Sequence, residues 1–255
     1  MNLSLTPLPG IPLVRSGDDL AALVMAALRR LNLNLQDGDI LVFAQKVVSK
    51  SEGRLVNLVD VVPSARACEL ALQIEKDPRL IELVLSESNT VLRTRPGTII
   101  VEHRLGFVCA NAGIDHSNVA GEGGALEEWV LLLPEDPDAS AARLRLQLEA
   151  ASGVRLGVLV IDSHGRAWRL GTVGVAIGIS GLPGLVDLRG EPDLFGYNLR
   201  ITQVGVADEL AAAASLVMGQ AGEGTPVIHV RGFPYPLREA ALSELIRPEE
   251  QDLFR

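Results

Sequence analysis

Leu156-Gly157-Val158-Leu159-Val160-Ile161 runs straight into Asp162-Ser163-His164-Gly165-Arg166. The first six residues are the most apolar strand-like run in the chain, which marks a buried strand. At Asp162 the chain changes character abruptly. A carboxylate at the end of a buried strand is a common position for a metal ligand, and Ser163 adds a second oxygen. The same Asp-Ser-His-Gly composition also reads as a turn. A strand this apolar needs sheet neighbours and cover, and the rest of the chain must supply both.

Residues 39–44 (Asp-Ile-Leu-Val-Phe-Ala) read as a second buried-type strand. It leads into Gln45-Lys46-Val47-Val48-Ser49-Lys50-Ser51-Glu52-Gly53-Arg54, which reads as a loop. Lys46 and Lys50 there suit an anionic ligand such as phosphate, or simply a solvated charged surface. Downstream of the central strand, residues 172–181 alternate Gly with Val, Ala and Ile, so some backbone must approach closely, from a ligand or another chain. Residues 187–199 form a polar excursion. Residues 207–218 read as an Ala-rich helix with Asp208 and Glu209 in its first turn. It stops at Gly219, before the Gly-rich run Gln220-Ala221-Gly222-Glu223-Gly224-Thr225 and a strand over 226–231. The order helix, Gly-rich loop, strand is not that of a Walker A motif, and no G-x-G-x-x-G fingerprint opens a helix. The tail 247–255 reads as a charged last helix or arm.

At the other end, residues 3–8 suggest a strand leading to Pro9-Gly10-Ile11-Pro12-Leu13-Val14, a stiff segment suited to an edge or to a backbone contact with a ligand. Helical spacing follows Asp18 and Asp19 through Leu31. Further helices are expected after Ser64, after Asp77-Pro78, and over 141–151 with Leu144 and Leu148 inward. Asp136 and Asp138 complement that last helix entrance. Strands are expected over 91–95, 98–102 and 129–133, and a flexible tip at Gly121-Glu122-Gly123-Gly124.

The densest polar stretch is Asn111-Ala112-Gly113-Ile114-Asp115-His116-Ser117-Asn118-Val119, directly after the apolar run 106–110. Asp115 supplies hard oxygen for a divalent cation; Asn111 and Asn118 supply amides that donate and accept. Turn chemistry alone would also explain the composition. Asp115, Asp162 with Ser163, and Gln220 with Glu223 make three oxygen-donor positions, and Lys46 and Lys50 two cations. Brought together, that set would suit metal-assisted phosphoryl chemistry.

The 255 residues suffice for one large domain or two intimate ones. Hydrophobic content is 47% and mean hydropathy +0.25, a globular composition. Aromatics are 4%, so Leu, Val, Ile and Ala must fill the core. A net charge of -9 and a pI near 5.0 argue against a general nucleic-acid binder but not against a phosphate ligand. Two cysteines, Cys68 and Cys109, are too few for a disulfide framework or a zinc cluster. No signal peptide or apolar run of membrane-spanning length is visible, so a cytoplasmic protein without membrane association is expected.

The runs Gly10-Ile11-Pro12-Leu13, Gly38-Asp39-Ile40-Leu41-Val42, Val48-Ser49-Lys50-Ser51-Glu52-Gly53-Arg54, residues 111–119, Leu131-Leu132-Leu133-Pro134, Asp162-Ser163-His164-Gly165-Arg166 and Ala207-Asp208-Glu209-Leu210 occur in order over almost the full length. Together they resemble the coenzyme F420:L-glutamate ligase family (F420-0:gamma-glutamyl ligase). The resemblance implies an α+β fold with mixed or antiparallel sheets and helices, in two intimate subdomains of a single domain over 1–255 that forms an intertwined homodimer. No C-terminal nitroreductase-like domain is expected. It implies a GTP-dependent ligase that adds L-glutamate to the 5-deazaflavin precursor F420-0 or its dehydro precursor, and then further γ-linked glutamates. The reaction would pass through an acyl phosphate, with two divalent ions, Mg or Mn, and potassium assisting. Position by position, it implies metal ligands at Asp115, Asp162, Ser163 and Gln220. Nucleotide contacts are implied at Ile11, Pro12, Leu13, Val14, Gln45, Lys46, Lys50 and Asn118, and at Met218, Gly219, Ala221, Gly222, Glu223, Gly224 and Thr225.

Two positions depart from the family pattern. Gln220 stands where relatives carry a metal-binding Glu, and its neutral amide is a weaker ligand unless Glu223 helps. Tyr197 stands where an Arg is expected. His116 and His164 are candidates for proton transfer only. Two other readings stand beside the ligase: a metal-dependent GTP-binding regulatory module without turnover, and a hydrolase using Cys109 with His116.

Overall fold

The computed structural model describes residues 2–121 and 128–253. In chain order the elements are β1 (Ser4–Pro7), α1 (Leu20–Arg30), β2 (Ile40–Ala44), α2 (Gln45–Ser51), β3 (Leu55–Asn57), α3 (Ala65–Ile74), α4 (Pro78–Ser86), β4 (Ser88–Arg95), β5 (Thr98–His103), β6 (Val108–Ala110), β7 (Trp129–Leu131), α5 (Pro137–Ser152), β8 (Gly157–Arg166), β9 (Arg169–Ser180), β10 (Val186–Asp187), β11 (Gln203–Val204), α6 (Val206–Met218) and β12 (Val227–Arg231). The protein is therefore α+β, as the family resemblance implies, with one mixed sheet and three smaller antiparallel ones among the described residues.

The principal sheet has the order β1-β12-β2-β8-β9. Its centre is a parallel pair, β2 against β8, in register from Ile40 opposite Gly157 to Ala44 opposite Ile161. The other pairings are antiparallel: β12 on β2, β1 on β12, and β9 on β8. Strand alternation sends Leu41, Phe43, Val158 and Val160 to one face, under α1, α2 and α5. It sends Ile40, Val42, Leu159 and Ile161 to the other face, under Ala207, Leu210, Ala211 and Ala214 of α6. Both faces are covered, which is why β2 and β8 read as unbroken apolar runs. A third cluster, around Ile74, Ile81, Val84, Ile99 and Val101, packs α3 and α4 on the antiparallel sheet β4-β5-β6.

Several expectations are corrected. Asp162-Ser163-His164-Gly165-Arg166 is not a turn: β8 continues through it, with Asp162 opposite Val175 and His164 opposite Val173. The chain reverses only at Ala167-Trp168. The stretch read as a charged loop begins with a helix, α2, because Val47 and Val48 bury themselves beneath its lysines. The close approach at the glycine-rich strand is made by the chain's own helices. A Cβ on Gly174 would lie 2.5 Å from the Ala211 carbonyl, and one on Gly178 would lie 2.4 Å from the Pro137 carbonyl. Asp136 caps α5 as expected, but Asp138 turns away and accepts from the Ile179 and Leu242 amides. Asp19 caps α1, while Asp18 closes the preceding turn on the Arg15 amide. Among the described residues, the tail forms a single helical turn, Glu249–Gln251. Residues 122–124 of the expected flexible tip lie outside the described residues. Among the described residues, no helix is long and apolar enough to cross a membrane.

The Gly178 contact gives a direct test. Gly178→Ala forces a methyl into the Pro137 backbone and is expected to destabilise the protein by about 1–3 kcal/mol, the usual cost of overpacking. Gly165→Ala, where nothing lies within 4 Å, is expected to be close to neutral. Chemical denaturation of the two variants checks the contrast.

Candidate functional site

The sheet pairing brings four chain segments to one end of the principal sheet. β1 ends there, with the Leu8 amide on the Val227 carbonyl, and continues into Ile11, Pro12, Leu13 and Val14. β12 begins there, after the Gly-rich loop. β2 ends there and turns at once into α2. β8 alone runs on, so beyond Ile161 its edge on the β2 side is open. Asp162 and Ser163 sit on that extension, with side chains on opposite faces of the strand.

Asp115 reaches this end from the other side. After β6 the backbone makes three successive residues of positive φ: Asn111 at 52°, Ala112 at 52° and Gly113 at 67°. Only glycine takes that conformation freely, so the run is strained and is held by its surroundings. Ala112 is fully buried, and a Cβ on Gly113 would meet Leu133 Cδ1 at 2.7 Å. The Asp115 backbone is then clamped to β7 by two hydrogen bonds with Leu131, of 3.0 and 2.9 Å.

The side chains converge. Gln45 Nε2 donates to Asp115 Oδ2 at 2.6 Å, and Lys46 Nζ lies 3.4 Å from Asp115 Oδ1. Lys46 also donates to the Ser117 hydroxyl at 2.8 Å and the Ser117 carbonyl at 3.0 Å. Lys50 Nζ donates to the Asn118 carbonyl at 2.7 Å, and Asn118 Nδ2 donates to the Ala221 carbonyl at 2.9 Å. The 111–119 stretch and the Gly-rich loop are thereby joined. On β8, His164 Nε2 lies 3.1 Å from Asp162 Oδ2, and Ser163 Oγ donates to Gln220 Oε1 at 2.7 Å.

The Asp162 charge is felt at its neighbours. Burial, and next the Asp162 charge, push the Asp115 carboxyl up to about 6, against the opposing pull of Lys46. Burial, with Lys46 beside it, pulls the Lys50 ammonium down. Burial and Asp162 push the Cys109 thiol up to about 12, so it holds its proton and is no nucleophile. That speaks against the hydrolase reading; at His116, burial and then Lys76 pull the imidazolium down.

Other expected site residues are placed differently from the lysines and aspartates. Gln45 is 1% exposed and both polar ends of its amide are engaged, so its side chain serves Asp115. Glu223 folds back onto the Ala221 amide at 2.8 Å and shapes its own loop over Gly219. Thr225 Oγ1 likewise closes the loop on the Met218 carbonyl at 3.0 Å. Leu13 is exposed, whereas Val14 is buried. Tyr197 lies on the polar excursion, with the Arg200 guanidinium 5.7 Å from its ring centroid, so a cation is present there after all. Sequence reading missed Ser49, whose hydroxyl fixes Gln45, and Phe107, whose ring lies 5.2 Å from that of His164. The spacing of Gln45 and Ser49 would have disclosed the first, had the segment been read as a helix.

Among the described residues, no three His, Cys, Asp or Glu side chains cluster as a metal site by themselves. The donors beside Asp115 and Asp162 are instead the Ser163 hydroxyl and the Gln220 amide oxygen. Two mutually repelling carboxylates with neutral oxygens beside them fit a hard divalent cation such as Mg or Mn.

Residues 10–232 match the family model described as F420-0:Gamma-glutamyl ligase. The chain is 48% identical to the Coenzyme F420:L-glutamate ligase of Methanothermobacter thermautotrophicus, over 100% of both chains. It is 46% identical to that of Methanopyrus kandleri, over 99% of this chain and 98% of the relative. It is 44% identical to that of Archaeoglobus fulgidus, over 100% of this chain and 97% of the relative. The chain belongs to the F420-0:gamma-glutamyl ligase family and is a ligase. Nothing in these matches speaks for a regulatory module without turnover.

The raised Asp115 carboxyl sets a pH dependence for the metal-free protein. The folded state holds this proton up to about pH 6, whereas an unfolded aspartate loses it near about 3.9. Stability therefore falls as pH rises through that window, and the cost persists above it. Asp115→Asn removes the charge and keeps an oxygen for Gln45. In EDTA it is expected to exceed wild-type stability by about 1–3 kcal/mol at pH 7.5, with the difference vanishing near pH 4, as followed by denaturant titration.

Proposed function

From that family membership we propose that the protein joins L-glutamate to the lactyl carboxylate of F420-0, or of its dehydro precursor, and adds further glutamates through γ links. GTP is the energy source and GDP the product. The observation that carries this reading is the Asp115–Asp162 pair at one end of the principal sheet, flanked by Lys46 and Lys50. It is an arrangement suited to a metal–polyphosphate, on a chain matched end to end by named ligases.

A carboxylate and an amine do not condense at neutral pH without activation. In the proposed route an acceptor carboxylate oxygen attacks the γ-phosphorus of GTP and GDP departs. The glutamate amine then attacks the acyl carbon, losing a proton, and inorganic phosphate leaves. Divalent ions, Mg or Mn, held by Asp115, Asp162, Ser163 and Gln220, would screen the repulsion between the two anions and stabilise the charge that develops on transfer. Potassium would assist. Lys46 and Lys50 bring positive charge to the phosphates. Asn118, Ile11, Pro12, Leu13 and Val14, with the loop from Met218 to Thr225, would hold the nucleotide. Gln45 contributes through Asp115. The neutral Gln220 would make the second metal position the weaker one. No protein nucleophile is required, in keeping with the protonated thiol of Cys109.

The protein would work as a homodimer. Trp168 and Leu170 at the β8–β9 hairpin, and Leu194, Phe195 and Ile201 on the excursion, expose apolar surface that a second copy would cover.

Incubation of the purified protein with F420-0, L-glutamate, GTP and Mn is expected to give glutamylated product by mass spectrometry, with stoichiometric GDP. Asp162→Asn is expected to lower the rate on the order of 10²-fold or more, the scale of losing one charge-stabilising group. A wild-type protein that forms no product, or a variant as active as wild type, would refute the assignment.

A further inference from the structure

A carboxylate can offer a cation one oxygen or two, and which it offers depends on what holds the other. At this site each carboxylate has its Oδ2 held by a side-chain donor, and Asp115 has Lys46 Nζ 3.4 Å from its Oδ1 as well. Asp115 Oδ2 accepts from the Gln45 amide at 2.6 Å. Asp162 Oδ2 lies 3.1 Å from His164 Nε2, and a carboxylate only accepts, so the ring nitrogen donates. Neither contact is a chance surface meeting. Gln45 is 1% exposed and Ser49 is 0% exposed, with the Ser49 hydroxyl donating to Gln45 Oε1 at 2.9 Å. A flipped amide would set its oxygen against the Asp115 carboxylate, so the orientation is fixed.

His164 is held by a tilted ring contact, its plane 48° from that of Phe107. It follows Asp162 by two residues on β8, which puts both side chains on one face of the strand. Phe107 packs on the imidazole with centroids 5.2 Å apart, and His103 stacks under Phe107 at 5.1 Å with an interplanar angle of 4°. His103 is fully buried, so this column has a solid base.

We propose that Gln45 and His164 are positioning residues that hold Asp115 and Asp162 as one-oxygen ligands, and so bias the site toward small octahedral cations over calcium. Calcium takes six to eight oxygens and often draws both oxygens of a carboxylate, whereas magnesium demands a tight octahedron and takes carboxylates singly. A donor parked on Oδ2 of each aspartate penalises the first mode and leaves the second intact. Gln45 carries no charge, so it orients Asp115 without cancelling the charge that attracts a cation. The inference rests on the metal site of the proposed function.

The test is Mn binding by electron paramagnetic resonance to the full-length protein with GDP, with Ca as competitor. Wild type is expected to prefer Mn. Gln45→Leu and His164→Leu are expected to narrow the Mn-over-Ca ratio about 10-fold or more, the scale of losing an outer hydrogen bond to a metal ligand. His164→Gln keeps a donor and is expected to hold the ratio within about threefold of wild type. Ser49→Ala frees the Gln45 amide with little loss of volume and is expected to narrow the ratio in the same direction, which keeps the test open if Gln45→Leu fails to fold. Variants that melt like wild type and keep its ratio overturn the proposal while leaving the metal site standing. A wild-type protein that takes up no Mn with GDP overturns the metal site itself, and this proposal with it.

Discussion

Everything at the candidate site depends on where one strand pairing stops. β2 and β8 run parallel through five residue pairs, buried on both faces, and the pairing ends at Ala44 opposite Ile161. There the two strands part. β2 turns immediately into α2, while β8 continues for five residues with β9 as its neighbour. The sheet is therefore continuous below that line and open above it. A rigid, solvent-poor sheet ends in an edge carrying Asp162 and Ser163, and the first turn of α2 stands beside it with Gln45 and Lys46. A parallel pair cannot be joined by a short hairpin, so the chain must make a long excursion between the two strands. That excursion carries Asp115.

The excursion returns its aspartate accurately because it is tied down at several points. α3 and α4 give it a core of their own against β4 and β5. The left-handed turn at Asn111, Ala112 and Gly113 aims the residues after it, and its strain is borne by the burial of Ala112 and the wall of Leu133. Paired backbone bonds with Leu131 then stop Asp115 from swinging. Backbone strain of this kind costs on the order of 1–3 kcal/mol per residue and persists only where packing over-determines it. Here it places a carboxylate where a second carboxylate repels it.

The sequence disclosed the strands and caps well because those signals are local. Asp19, Ser64, Asp77 and Asp136 each accept from an amide two or three residues ahead, which is readable from spacing alone. The apolar runs of β2 and β8 announced two-sided burial. What stayed illegible depended on distant partners. Gly174 and Gly178 showed that a backbone must come close, but not that it belonged to α6 and α5. α2 was hidden because its polar residues outnumber the two valines that anchor it. Asp138 looked like every other acidic residue in a first helical turn, yet it serves the Ile179 and Leu242 amides, 41 and 104 residues away. At the site, Asp115, Asp162, Lys46, Lys50, Gln220 and Asn118 could be named in advance. That Gln45 faces a carboxylate, and that Glu223 faces its own loop, needed three dimensions.

The site's charges bear on how the proposed cation and polyphosphate would enter. Two aspartates and two lysines stand together, with Lys46 acting on both Asp115 and Lys50, and their formal charges cancel. A bare divalent cation entering this set must compete with Lys46, whose Nζ already lies 3.4 Å from Asp115 Oδ1. A bare polyphosphate must approach two carboxylates. Each alone leaves a net charge in a partly buried place, where unpaired charge is costly. For the metal–nucleotide of the proposed function, the cation would take the aspartate oxygens and Lys46 would turn from Asp115 to the anion, with Ser117 as its remaining anchor. The donors on the two Oδ2 atoms would keep the carboxylates aimed as that positive charge moves away.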